Sequence, residues 1–481
     1  MIIKQLKEEI RQYRESIYES FEYRADALLD LLDSLSSNSL ATSVVELSLN
    51  PLFRRNYSSL HKAINDFSVS STGLDEKQQR LKLEAEHLEI IARHIPQLQK
   101  RRFHLLATDI TPQPRRFAVC LKDRKVVYAP NPAPGNRPIA IGHEFSHLVY
   151  LPEKAEAGSS PWVIPLSVHR VSSKENGIDV AAEQLALIMN NPAIDFACKL
   201  TVHLSDGFYS IAQYLKQAKE YLNLVFIARM RSNRSLYFQP PALELQGSGH
   251  PRWYGDKLKL KNSGYHKPNE TVITKYTSSR GRTFSVSIKA FHNLLMKGKK
   301  DSPMHDCPLT LLRIEALKPN GKPIYRRPLY LIVAGHRRGE LSLLEIWLAY
   351  AQRYDIEHYF RFGKQQLLLT CYQTPLLEHE ENWWQLCKLA YIQLYLAAPL
   401  AQPLARPWLS KKSPTSLALL SPTAVQRDFT RIILEIGTPA LAPKLRGKSK
   451  GRSKGLTLPN RRWRPIVFKS KKKSFSRASR L

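Results

Sequence analysis

Apolar residues recur at helical spacing through the first hundred positions, in LKEEIRQYRESIYESF and EKQQRLKLEAEHLEIIARHI, with a polar break at SLSSNSLATS. The pattern predicts a separate helical domain over residues 1–100. From Phe103 the texture changes to short apolar runs, FHLLATDI, RRFAVCLK, KVVYAP and RPIAIGHEF, divided by Pro, Gly and Asn. A sheet is expected to begin there. Helical stretches DVAAEQLALIMN and SIAQYLKQAKEYL then flank LTVHLS and lead into LVFIARM, an alternation that indicates an α/β layer over residues 101–230. Between 231 and 327 the helical period disappears. In RTFSVSIKA, Phe284, Val286, Ile288 and Ala290 fall on one face and Thr283, Ser285, Ser287 and Lys289 on the other, a half-buried strand. Asn320-Gly321 supplies a turn before LYLIV, so the segment reads as a β-rich insertion splitting the α/β unit. Past it, Ser342 followed three residues later by Glu345 has the form of a capping box opening a long helix, within a second α/β part at 328–405. Residues 406–481 read as a Pro- and Ser-containing linker and a disordered basic tail.

Charge narrows the function. Lys and Arg number 73 against 41 Asp and Glu, a net +32 over 481 residues. From Leu441 onward there are 15 Lys or Arg and no acid, so the rest of the chain still carries 32 − 15 = +17. Such an excess calls for a polyanionic partner. An apolar content of 43% argues against a disordered chain, and no apolar run reaches the roughly 18 to 20 residues that cross a bilayer. The opening MIIKQLKEEIRQYRES turns amphipathic at once, unlike a signal peptide, which predicts a cytoplasmic, nucleoid-associated protein. Cys120, Cys198, Cys307, Cys371 and Cys387 are far apart and read as reduced core residues.

On the capped helix, Tyr350, Arg353, Glu357 and Lys364 stand at offsets of 0, 3, 7 and 14. At about 100° per residue they fall near 0°, 300°, 340° and 320°, one stripe holding a single carboxylate among cations and an aromatic ring. A carboxylate that holds a metal against a phosphate needs such neighbours. An ordinary solvated face with an Arg353–Glu357 pair has the same spacing.

Tyr350-x2-Arg353-x3-Glu357-x6-Lys364 matches without a gap the Tyr-Arg-Glu-Lys signature of bacterial insertion-sequence DDE transposases of the cut-and-paste type. The segment TDITPQPRRFAVCLKDRKVVYAPNPAPGNRPIAIGHEFS also resembles the part of these enzymes that carries the first catalytic aspartate, which points to Asp109. GHPRWYGDKLKLKN and RPLYLIVAG resemble the family's β-insertion and its return strand. The resemblance spans roughly residues 100 to 405. It implies a ribonuclease-H-like α/β core with the β-rich insertion, an N-terminal helical domain that binds DNA ends, and cleavage and strand transfer of double-stranded DNA by a homodimer. It further implies three catalytic carboxylates holding Mg²⁺ or Mn²⁺: Asp109, Glu357 and an aspartate after a later strand. Asp206, directly after LTVHLS, is the choice over Asp195 in NPAIDFACKL and Asp179 in NGIDVAAEQ. By the same analogy Tyr350, Arg353 and Lys364 hold phosphates, while Trp253 has two readings, a stacking surface for a flipped base or an ordinary core or surface tryptophan.

Two other readings compete. His143-Glu144-Phe145-Ser146-His147 spells H-E-x-x-H, the zinc-peptidase pattern. Its surroundings predict a strand, on which the two histidines stand about 13 Å apart at roughly 3.3 Å per residue, too far to share a zinc ion. His143 is then expected to be a polar residue near the active-site cleft and His147 a satisfied strand histidine. The charge would also suit a non-catalytic basic nucleic-acid-binding protein. A pure binder has no use for acids facing a phosphate, however.

Overall fold

The computed structural model describes residues 2–69, 76–129, 137–154, 159–240, 253–277, 283–300, 302–318, 321–404, 419–445, 451, 453, 455–457 and 460–468. The linker over 405–418 and the cations from Lys469 onward lie outside them.

The sheet is built outward from β1 (His104–Pro114). On one side β1 pairs antiparallel with β3 (Ile139–Tyr150), whose outer edge is shared by β2 (Lys125–Tyr128) and β4 (Ile164–Arg170). On the other side β1 runs parallel to β5 (Thr201–Ser205), and β5 parallel to β6 (Leu224–Arg229). Every residue of β5 is buried, as a parallel strand covered on both faces must be. α5 (Gly177–Met189) covers one face: Gln184 reaches through to Ser146 and Ser167.

After β6 come the short strands β7 (Ser235–Tyr237) and β8 (Lys257–Lys259), which pair with each other, while Tyr237 of β7 also bridges antiparallel to Leu295. β9 (Glu270–Thr277), β10 (Thr283–Leu294), β11 (Leu309–Leu317) and β12 (Leu329–Ala334) then extend the same sheet, β12 closing antiparallel on β6. The β-rich insertion is thus an extension of the ten-stranded sheet, in the order β2-β3-β1-β5-β6-β12-β11-β10-β9 with β4 beside β3. The chain turns between β11 and β12 at Lys318–Lys322, where Gly321 takes φ +77°. Asn320 of the expected turn lies outside the described residues.

The capping box forms: Ser342 Oγ accepts from the Glu345 amide at 3.2 Å, and the Ser342 amide donates to Glu345 at 2.8 Å. The helix it opens is not the single long one expected. α7 (Leu343–Gln352) stops, a turn at Arg353–Tyr354 follows, and α8 (Asp355–Gln366) begins. Hydrogen bonds from Ile356 to Arg353 and from Glu357 to Tyr354 carry the chain through the break with the tighter three-residue spacing. The 100° stripe therefore does not describe the four signature residues.

α9 (Leu377–Ala397) is buried along 16 of its 21 residues, so other elements must wrap it. The sheet covers one side, through Phe145 stacked on Trp384 at 3.9 Å. α1 (Ile2–Glu19), α2 (Ala25–Ser36) and α3 (Tyr57–Asp66) cover another, while α4 (Glu76–Ala92) reaches β4. Tyr13 donates to the Leu389 carbonyl at 3.0 Å, and buried Arg14 bonds both Asp33 and Gln393. The N-terminal helices and the sheet thus share one apolar core.

Two expectations for residues 406–481 are corrected. α10 (Pro422–Ile436) lies inside the supposed linker, capped by Ser421, started by Pro422 and ended by Gly437 at φ +88°. Part of the supposed disordered tail docks: the Arg464 amide donates to Val119 O at 2.9 Å and Val467 bridges in parallel to Lys125 of β2. All five cysteines are free, but Cys198 is exposed rather than in the core. Among the described residues no helix is long and apolar enough to cross a membrane.

Candidate active site

The parallel register aligns the first two acids. β1 and β5 pair as His104 with Thr201 through Ala107 with Leu204. Two residues further along, Asp109 meets Asp206 on neighbouring strands, which lie about 4.8 Å apart. Asp109 sits inside β1, which continues to Pro114. Asp206 directly follows β5, its carboxylate accepting the Phe208 amide at 2.8 Å. The β5–β6 register, extended one residue past Ser205–Ala228, sets Arg229 opposite Asp206.

Glu357 comes from the first turn of α8, across the face of β1. Arg353, the hinge residue between α7 and α8, spans the gap, with its guanidinium 3.2 Å from Asp109 and 3.2 Å from Glu357. Asp109, Asp206 and Glu357 line one open cleft of about 940 Å³, together with Arg229, Arg231, Lys261, Arg327 and Arg353. The alternatives for the second aspartate fall elsewhere. Asp195 lies before β5, at the opposite end from Asp206, paired with His104 and Lys199. Asp179 stands in the first turn of α5 and accepts from Gln213 at 2.5 Å.

Burial raises the Asp109 pKa to about 6; Arg353 and the Ile110 amide oppose the rise, whereas Asp206 and Glu357 add to it. Burial disfavours the charge on Arg353 as well, yet Tyr350 and the three acids outweigh that and hold its pKa above the ordinary value. Tyr350 lies under the guanidinium at 5.8 Å from its ring centroid, and burial raises its own pKa. Lys364 donates to Thr111 at 2.6 Å; burial lowers its pKa while Asp109 pulls the other way. Trp253 is exposed and stacks on His305 at 4.2 Å, and it does not line the cleft.

The donor set is three carboxylates, hard oxygen ligands suited to Mg²⁺ or Mn²⁺. Burial raises the Asp109 pKa and the neighbouring acids Asp206 and Glu357 add to the rise, through negative charge that a bound cation would relieve. Arg353 supplies that positive charge here. Among the described residues no three acids, histidines or cysteines are gathered tightly enough to hold one ion as they stand.

The H-E-x-x-H residues lie on β3. His143 is buried between Glu380 of α9 and the Lys122 carbonyl, away from the cleft it was expected to border. Glu144 pairs with Lys125 at 3.0 Å. His147 lies against Phe360 and Trp384, its Nδ1 3.4 Å from the Tyr359 hydroxyl, and its Nε2 has no hydrogen-bond partner, so it is not the satisfied histidine expected.

Reading the sequence missed Arg229, which merely ends the apolar run LVFIAR, and the insertion's Arg231, Lys261 and Arg327. Strand register brings Arg229 to the acids; Arg231 and Arg327 reach the cleft from the loops after β6 and before β12, and Lys261 from the short helical turn after β8. A comparison with curated proteins gives no match. The family model described as "DDE superfamily endonuclease" matches residues 16–286, more than half the chain, taking in Asp109 and Asp206 and stopping before Glu357. The chain belongs to the DDE superfamily of endonucleases.

Proposed function

We propose that this protein is a transposase of the insertion-sequence type, which cleaves double-stranded DNA at the ends of a mobile element and joins them to target DNA, acting as a homodimer. One observation carries the reading: Asp109, Asp206 and Glu357 line a single cleft whose remaining charges are all cationic. A basic binding protein gains nothing from three acids facing the phosphate, and the H-E-x-x-H histidines are committed to buried contacts.

Asp109, Asp206 and Glu357 would hold Mg²⁺ or Mn²⁺, which supplies Lewis acidity toward the scissile phosphate and lowers the pKa of bound water. Arg353, within 3.2 Å of two of the acids, is suited to the non-bridging phosphate oxygens. Tyr350 supports that guanidinium from below, and Lys364 adds positive charge behind Asp109. Arg229 and Arg231 carry the strand past the acids. Trp253 belongs to the proposal as a surface for an unpaired base on the insertion. Water attacks first and leaves a 3′-hydroxyl. That hydroxyl then attacks a target phosphate, forming one P–O bond as another breaks, so no nucleotide cofactor is needed.

The test uses the full-length protein and labelled DNA carrying the inverted repeats that flank its gene. Cleavage should require Mg²⁺ or Mn²⁺, stop on chelation, and disappear in Glu357→Ala while binding to the ends persists. Cleavage that survives both chelation and Glu357→Ala would overturn the reading, as would binding lost with cleavage per bound complex unchanged.

A further inference from the structure

Beyond the acidic cleft, a second cavity of about 780 Å³ opens between α6 (Ala212–Leu215) and the insertion. It shares Met230 and Asn233 with the cleft, so the two adjoin. Its charged lining is Lys216, Arg234, Lys297 and Lys299, and no acid lines it among the described residues. Nor do any of these four side chains enter an ion pair or hydrogen bond among the described residues. Elsewhere the folded chain pairs its cations readily: nearby Lys219 holds Asp306, Arg337 holds Glu340 and Arg313 holds Glu315.

Four uncompensated cations around one concavity raise the local potential and lose little on meeting an anion, because no internal partner has to be given up. Serine hydroxyls at 210, 235 and 302 and the Asn233 amide add uncharged hydrogen-bonding groups between them. Such a lining reads charge and backbone, not base edges. The lining comes from both sides of β6, Lys216 before it and the other three cations after it, so the groove exists only where the insertion folds back beside the core.

We propose that this groove is a second phosphate-binding track, which holds the backbone of the DNA strand running from the scissile phosphate out of the cleft, without regard to sequence. The proposal rests on the reading of the cleft as a DNA-cleaving site and extends it by assigning the path of the strand. Lys216, Arg234, Lys297 and Lys299 are binding residues here, with no part in the chemistry.

The experiment measures the affinity of the full-length protein for fluorescein-labelled duplex DNA of unrelated sequence as salt is varied. Each lost phosphate contact removes about 0.9 from the slope of log K against log salt, so changing all four cations to Gln should flatten it by about 3.6. The charge-keeping variant Lys216→Arg, Arg234→Lys, Lys297→Arg, Lys299→Arg should hold the wild-type slope. Circular dichroism checks the fold. Should the fourfold variant not fold, Lys216→Gln with Arg234→Gln, and Lys297→Gln with Lys299→Gln, should each flatten the slope by about half as much. A folded Gln variant with the wild-type slope, or a charge-keeping variant that loses as much as the Gln variant, overturns the groove and leaves the cleft assignment standing. A wild-type protein that does not bind DNA at all overturns both.

Discussion

Arginine meets glutamate in two places that end differently. Beneath α9, Glu380 is fully buried between Arg115, which donates to it at 2.6 Å, and His143, while Arg115 also reaches Tyr372 O and Gln373. In the cleft, Arg353 bridges Asp109 and Glu357 at 3.2 Å with the opposite side open and further cations around it. The interior pair is enclosed and balanced by hydrogen bonds, so it can only hold α9 to the sheet. The cleft pair is under-bonded, crowded with like charge and accessible, which is how perturbed groups at a reacting site differ from structural ones. The contrast also disposes of H-E-x-x-H: its histidines belong to the enclosed kind.

The strongest challenge to the contrast is to exchange aspartates. Asp206→Asn should lower cleavage by about 10³- to 10⁴-fold, whereas Asp195→Asn, on the far end of β5, should leave the rate within about twofold of wild type; gel assays of end cleavage decide. Equal losses would erase the distinction between the two ends of the strand.

Glu380→Ala probes the enclosed side. It strands the Arg115 charge and should destabilise the protein by about 3–5 kcal/mol in urea titrations, with cleavage per folded molecule unchanged. A smaller effect follows from His203, buried on β5 with its Nε2 2.8 Å from Thr108 on β1, whose pKa burial pushes down to about 3. Between that value and 6.5 the unfolded chain binds the extra proton, so stability is lost as pH falls through this window. Relative to His203→Gln, wild type should lose about 2 kcal/mol between pH 7.5 and 5 at 1.36 kcal/mol per pH unit. A pH-independent difference removes His203 from the account. Smallest is Ser342→Ala, which deletes the α7 cap and should reduce stability by about 1 kcal/mol by thermal unfolding.

Much of this was legible in the chain. Period-two alternation gave β10, the apolar run LVFIAR gave β6, the place of LTVHLS between helical stretches gave β5, and Ser342 with Glu345 gave the start of α7. The strand setting of His143 and His147 followed from flanking β-branched residues and Gly. The break at Arg353–Tyr354 was not legible, because IWLAYAQRYDIEHYFRF keeps helical spacing with neither Gly nor Pro across the junction. Only the packing of α8 over β1 requires the bend. α10 left a signal that went unused: Ser421-Pro422 at the start and Gly437 at the end are the residues a helix of that length calls for. Arg229 left none, since an arginine closing a buried strand is common and its meaning comes from register with Asp206.

The three cleft acids are drawn from segments far apart along the polypeptide, with the whole insertion spliced between the second and the third. β12 pairs with β6, and α8, which follows it along the chain, crosses β1. A ribosome that has not yet released α8 therefore carries a nascent chain with two of the three acids and no Arg353. A cleft complete in its acids forms only once the chain has been made through the first turn of α8.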